Sequence, residues 1–289
     1  MLSGYEYIVA KQIQWAKNNN IPLIGSKGER GRATYTLDLS QNLYEPLLEE
    51  NQKQFVSGNG QEVLGSLESP AKMQALHSSS ALGVNVFHYW QKRGLINEIA
   101  SACGFCKSGS NYSDRIVFED KYCINSKFVI PPHIDVVFHN NESSPYKLFA
   151  VECKFSEAYG GRAHGGLKDK YLDDAGLWKD LSNLEKLARE ISPDDKRYTY
   201  LHAAQLIKHI LGLSACVGSK GFKLLYLWYD VLGNEGAIHR AEVEDFTKIA
   251  KSDGINFHAM TYQELITLLD RNYREDHSEY IKYITERYN

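Results

Sequence analysis

The 289-residue chain is predicted to be an α/β protein, with a central mixed β-sheet flanked by helices and an N-terminal, largely helical extension. Three observations point there. Residues 72–93 repeat apolar and small side chains at steps of three and four, the period of one helix face. Residues 131–139 and 147–155 are β-branched and aromatic runs joined by the polar stretch Asn140-Asn141-Glu142-Ser143-Ser144-Pro145, the pattern of an antiparallel hairpin. Residues 222–230 are almost continuously apolar, as a strand covered on both faces is.

Taken in order, residues 5–18 read as a short amphipathic helix with Ile8, Ile13 and Trp15 as apolar points. Residues 25–36 hold Gly25, Lys27, Gly28, Glu29, Arg30, Gly31 and Arg32 and read as a loop. Residues 37–51 read as helical, and residues 57–69, with Gly58, Gly60 and Gly65, as an irregular connection. Pro70 stands before the helix of residues 72–93, where its missing N–H costs little. Met73, Leu76, Ser80, Gly83, Phe87 and Trp90 form the stripe of that helix, and its small middle permits close approach to another backbone. Residues 115–119 read as a short strand. Pro131 and Pro132 stand at the entrance of the first hairpin strand, where lost N–H groups do least harm. Leu177, Leu181, Leu184, Ala188 and Ile191 mark a further helix, and residues 197–213 another. After the strand of residues 222–230 come a helix at 242–251, a short strand at 255–260, and helices at 262–271 and 278–288. Residues 1–70 are expected to be the extension and 71–289 the main domain, together one compact unit.

Composition narrows the setting. The 33 basic and 36 acidic residues leave a net charge of −3, unlike a nonspecific nucleic-acid coat but compatible with a local basic groove around acidic residues. The five cysteines, Cys103, Cys106, Cys123, Cys153 and Cys216, are odd in number and scattered, so no disulfide framework is expected. No apolar run approaches the ~20 residues that cross a bilayer. A cytoplasmic, reducing setting without a membrane is the expectation.

The chemistry concentrates in the hairpin. Along Leu148-Phe149-Ala150-Val151-Glu152-Cys153-Lys154-Phe155, alternation puts Phe149, Val151, Cys153 and Phe155 on one face and Ala150, Glu152 and Lys154 on the other. On the preceding strand His133, Asp135 and Val137 are expected to share a face, opposite Ile134, Val136 and Phe138. Closing the hairpin can bring Asp135 beside Glu152. Two carboxylates are the hard oxygen ligands that Mg²⁺ takes along with water and phosphate. An adjacent lysine suits orientation of an attacking water and stabilisation of developing negative charge. Taken alone, Glu-x-Lys on a strand also describes a solvated ion pair.

Asp135, sixteen intervening residues, and Glu152-Cys153-Lys154 resemble the signature of the PD-(D/E)xK phosphodiesterase superfamily, which includes restriction endonucleases. The proline departs from the pattern, since Pro132 lies three positions before Asp135. The resemblance covers residues 72–230 in layout and implies a restriction-endonuclease-like core. It implies hydrolysis of DNA phosphodiester bonds with Mg²⁺, for which Mn²⁺ substitutes, and a homodimer acting on DNA. It makes Asp135, Glu152 and Lys154 catalytic, with Asp135, Glu152 and the Cys153 backbone carbonyl as metal ligands. Many members add an acid from the helix before the hairpin. The segment 72–93 has none, which leaves Glu62, or otherwise Glu68, for that role and keeps open an inactive, nucleic-acid-binding alternative. Gln205 resembles a glutamine that touches the lysine or substrate in exonuclease-like members, and His202 and His209 lie near it on the same helix edge. Between 154 and 170 the residues Lys154, Arg162, Lys168 and Lys170 outnumber the acids. Arg162, Lys168 and Lys170 are therefore expected to meet the DNA backbone. Cys103 and Cys106, even with Cys123 and His133, have no diagnostic zinc spacing and are assigned no metal.

Overall fold

A computed structural model of the chain describes residues 2–24, 33–58, 62–66 and 69–289. Five strands form one sheet in the order β1 (Ser113–Lys121), β2 (His133–Asn140), β3 (Leu148–Lys154), β4 (Phe222–Trp228) and β5 (Phe257–Thr261). The first two pairings are antiparallel and the last two parallel, so the sheet is mixed, as expected. The helices are α1 (Gly4–Asn18), α2 (Glu49–Ser57), α3 (Ser79–Lys92), α4 (Ile96–Ala102), α5 (Asp169–Leu172), α6 (Ser182–Glu190), α7 (Ala203–Val217), α8 (Asn234–Ser252), α9 (Tyr262–Tyr273) and α10 (Ser278–Tyr288).

The alternation read along β3 is the division between the two cores. Phe149, Val151, Cys153 and Phe155 join the core that α3, α4, α9 and α10 cover. Leu148 and Ala150 join the opposite core, with residues of α6, α7 and α8. β4 behaves alike: Leu225 and Leu227 face one core, Leu224 and Tyr226 the other. Gly83 lies over this sheet, where a Cβ would meet Cys153 Sγ at 3.5 Å, so the small middle of the helix stripe does serve close approach. The segment before Pro70 shares the first core through Ile8, Leu43 and Phe55. Its α2 lies on β1, with Phe55 and Phe118 rings 5.6 Å apart.

Several expected boundaries shift: the helix expected at 242–251 starts already at Asn234, and four other shifts have an identifiable cause. The helix at 37–51 is instead a 3₁₀ turn, Leu39–Gln41, followed by α2, because Pro46 bars its predecessor from helical geometry. The helix at 72–93 separates into a 3₁₀ turn, Lys72–Gln74, and α3. Gln74 is held off the helix by donating to Thr36 O and Leu37 O at 2.9 and 3.0 Å, and Ser78 caps α3 by accepting from Ala81 N–H. The helix at 197–213 starts only at Ala203, since the N–H groups of Thr199, Tyr200 and Leu201 all donate to the Glu242 carboxylate. β1 is longer than the expected 115–119 because both its ends stay paired with β2. Residues 25–32, Glu68 and Asn59-Gly60-Gln61 lie outside the described residues, so the charged loop and the Glu68 alternative are not placed.

Candidate active site

β2 and β3 pair from His139↔Leu148 to Val136↔Val151. The next step of that register would set Asp135 against Glu152, and there the ladder stops. The Asp135 side chain takes over the backbone's role: its Oδ2 accepts from Cys153 N–H at 2.7 Å. Across the other edge of β2, Phe118↔Val136 and Asp120↔Ile134 bracket Glu119 opposite Asp135, and Glu119 has φ 53°. This left-handed residue breaks the pleat. The expected alternation along β2 slips there as a result: Val137 and Ile134 face one core, Val136 and Phe138 the other. The hairpin thus opens at Asp135, and an opened hairpin offers side-chain oxygens where a closed one offers only a ladder.

Glu152 is fully buried, so the solvated ion pair is excluded. Lys154 Nζ stands 2.6 Å from Glu152 Oε1 and donates to Gln205 Oε1 at 3.0 Å. His209 Nδ1 stands 3.3 Å from Glu152 Oε2. Neither Glu152 oxygen has a well-directed hydrogen bond beyond these two contacts. Gln205 and His209 come from α7, which packs across this side of the sheet, and His202 immediately precedes it, so Gln205 does meet the lysine. His202 stacks on His164 with centroids 4.7 Å apart.

Electrostatics divide the acids. Burial works against the Glu152 carboxylate, but the Lys154 ammonium outweighs it and holds Glu152 below the ordinary carboxylate range. Burial, then repulsion from Glu152 and Glu119, pushes Asp135 well above it. Glu119 is raised to about 7 by burial, with Glu62 and Glu152 adding repulsion. Burial lowers Lys154, but Glu152, Glu157 and Asp135 more than reverse this and keep it an ammonium. Burial holds His202 and His209 neutral, each lowered to about 4.

Asp135, Glu119, Gln205, His202 and His209 line an open cavity of about 680 Å³, whereas Glu152, buried, and Lys154 are not among its lining residues. Glu119, Asp135 and His133 line one part, Gln205, Lys208 and His209 another, and Lys168 and Lys170 the rim. Arg162 is not there. It lines a second cavity with Tyr200 and Glu235, because the chain turns at Gly160 and Gly161 and carries it away. Glu62 pairs with Lys72 at 3.2 Å and acts on the site through Glu119. Glu119 and Lys208 escaped the reading of the sequence. Glu119 alternates with apolar neighbours on β1 and was legible as an acid one strand away from Asp135. Lys208 lies three residues after Gln205 on α7, nearly one helical turn. Cys103 and Cys106 are free thiols remote from this cavity, and Cys103 is buried.

The site fits a hard divalent cation. Asp135, Glu119 and Glu152 are the hard oxygen donors such an ion takes, burial and mutual repulsion raise Asp135 and Glu119, and Glu152 is a buried carboxylate whose oxygens accept no well-directed hydrogen bond. Among the described residues no three His, Cys, Asp or Glu side chains form a ready-made cage. Mg²⁺ needs none, since it keeps several waters and takes one or two carboxylates.

Glu119→Gln is expected to stabilise the metal-free protein increasingly as pH rises from 5 to 8, by on the order of 2 kcal/mol. The wild-type carboxyl, raised to about 7, binds more protons folded than unfolded between its ordinary value and 7. Stability therefore falls as pH rises through that window, and the amide removes this loss. Melting curves in EDTA at several pH values check it; a difference that does not grow with pH rejects the assignment.

No helix among the described residues is long and apolar enough to cross a membrane. Comparison with curated proteins yields no match, and comparison with solved structures yields none. The opened hairpin, the Asp135, Glu152 and Lys154 set and the mixed sheet agree with a restriction-endonuclease-like fold of the PD-(D/E)xK superfamily. A family model described as "Restriction Endonuclease associating with ARP" matches residues 10–289, nearly the whole chain, and the protein belongs to that restriction endonuclease family.

Proposed function

We propose that the protein is a Mg²⁺-dependent endonuclease that hydrolyses DNA phosphodiester bonds, with Mn²⁺ able to replace Mg²⁺. The observation that carries this reading is that Asp135 and Gln205 line a cavity shared with Lys168 and Lys170, with Lys154 joining Gln205 to the buried Glu152 and Asp135 bonded to Cys153 N–H. Asp135, Glu152 and the Cys153 carbonyl hold the metal, and Glu119 takes the place of the acid missing from the preceding helix. The bound ion would polarise the scissile phosphate and lower the pKa of water. Lys154, fixed between Glu152 and Gln205, orients the attacking water and stabilises charge that develops on the phosphate. Lys168, Lys170 and Lys208 meet neighbouring phosphates. Two copies related by a two-fold axis would cut both strands of a symmetric site.

The test is cleavage of supercoiled plasmid DNA with Mg²⁺, Mn²⁺ or EDTA, comparing wild type with Asp135→Ala and Lys154→Ala. Metal-dependent cleavage lost in both variants supports the mechanism. Cleavage in EDTA, or full activity in both variants, rejects it. Binding offers a separate check. Lys168→Ala with Lys170→Ala is expected to weaken DNA binding and to reduce the slope of log K against log salt by about 2, close to one for each phosphate contact. An unchanged slope would remove these lysines from the interface.

A further inference from the structure

Between β1 and β2 the chain makes an excursion over residues 122–132 before it returns to the site. Tyr122 N–H donates to Pro132 O at 3.1 Å and closes the base of this loop. The base rests on α7 at Gly212, where a Cβ would stand 2.7 Å from Tyr122 O and 2.9 Å from Pro132 Cγ. Phe128 anchors the loop: it is buried, with its ring centroid 4.4 Å from that of Tyr171. The next two side chains do the opposite. Val129 is 88% exposed and Ile130 81%, and both line the cavity that holds Asp135. Pro131 and Pro132 follow, with fixed φ and no N–H to leave unpaired when the loop is covered. Two aliphatic side chains held in water on an anchored loop lose little conformational freedom when something covers them.

What covers them is constrained by the rest of the cavity lining, which carries Lys168, Lys170 and Lys208, with Lys170 Nζ 4.8 Å from the Phe128 ring centroid. A ligand filling this space meets both cations and aliphatic carbon. Nucleic acid presents both, as phosphates and as the apolar faces of bases, sugars and thymine methyl groups. Side chains of this type also serve other proteins as wedges against base steps.

We propose that Val129 and Ile130 form an apolar wedge packed against the bases and sugars of DNA bound in the cavity, while the lysines of the same cavity hold its phosphates. The proposal rests on the reading of the cavity as a DNA site, and adds to it a contact that is independent of charge.

The experiment is a fluorescence-anisotropy titration of a labelled, mixed-sequence DNA duplex with the full chain, with Ca²⁺ in place of Mg²⁺, over a range of salt. Val129→Ser with Ile130→Ser is expected to bind about tenfold more weakly, with the salt slope of wild type and an unchanged melting temperature. The lysine pair should change the slope instead. If the serine pair lowers the melting temperature, Val129→Thr with Ile130→Thr keeps the β-branched shape and is expected to show the same loss in the same direction. Affinity within twofold of wild type in a folded variant overturns the wedge, as does altered self-association at unchanged DNA affinity, which would give the loop to a second copy. Unchanged affinity with cleavage intact overturns the wedge alone. A wild-type protein that binds no duplex at all overturns it together with the DNA reading.

Discussion

Lys154→Ala is expected to slow metal-dependent cleavage by about a thousandfold, the largest loss of activity from any single change at this site. The ammonium faces Glu152 at 2.6 Å and Gln205 at 3.0 Å, so it is both oriented and buried, and no other lysine reaches Glu152 at that distance among the described residues. Its removal acts on two steps in opposite directions. Water activation and charge stabilisation are lost. Divalent binding is not, because a cation is deleted beside acids that would then attract another. Metal affinity, measured by Mn²⁺ titration, should be unchanged or stronger in Lys154→Ala. Asp135→Asn should weaken it, and should also lose most of its cleavage. Lys154→Arg is not a conservative rescue, since a planar guanidinium cannot occupy the ammonium's place between Glu152 and Gln205 without displacing one of them. Cleavage by Lys154→Ala within a few-fold of wild type, at saturating Mg²⁺, would remove the lysine from the chemistry.

Arg287→Ala is expected to cost about 3–5 kcal/mol of stability, a fall of roughly 10 °C in melting temperature for a chain of this size. Arg287 is fully buried near the C-terminal end of α10. It donates to Gln12 Oε1 and to Asn42 O at 3.0 Å, and also to the Asn42 and Tyr283 side chains. Its guanidinium lies 4.1 Å from the Trp15 ring centroid, and the ring faces supply negative potential where none of these hydrogen-bond partners is a carboxylate. Asn42 passes the constraint onward by donating to Met73 O and Ala75 O, and its own carbonyl accepts from Asn85 on α3. One side chain therefore ties α1, the turn before α2, and α10 to the helix that covers the sheet. Alanine would take the donor from the buried side-chain oxygens of Gln12 and Asn42. Urea midpoints check the size of the effect; a loss below about 1 kcal/mol would mean that water enters and replaces the guanidinium.

Much of the site was legible because its logic is local. Glu152 and Lys154 are two residues apart on a strand, and strand geometry alone turns them the same way. Their nearness to Asp135 followed from the hairpin's register, which brings Asp135 level with Glu152 where the ladder ends. Gln205 was legible for a different reason, its place on the helix after that strand. Glu119 was not, because its approach to Asp135 depends on a positive φ that no propensity assigns to glutamate. Arg162 looked like a neighbour of Lys168 from sequence proximity, yet the turn at Gly160 and Gly161 sends the two side chains to different cavities. The helix starts at residues 72 and 197 failed through long-range competition: Gln74 is bonded to Thr36 and Leu37, and the N–H groups at 199–201 are bonded to Glu242.

By itself the sequence determined the α/β class, the hairpin and the shared face of Glu152 and Lys154. Periodicity reports which side of an element meets water or core, and that information is carried within a few residues. Only the tertiary structure decided how buried that face is, which further acid joins it, and which basic residues rim it. Those depend on the register of β1 against β2 and on α7 crossing the sheet, contacts between segments far apart in the chain. They also decided the charges. Asp135 and Glu152 are both carboxylates in the sequence, yet burial with repulsion from Glu152 and Glu119 raises one while Lys154 holds the other down.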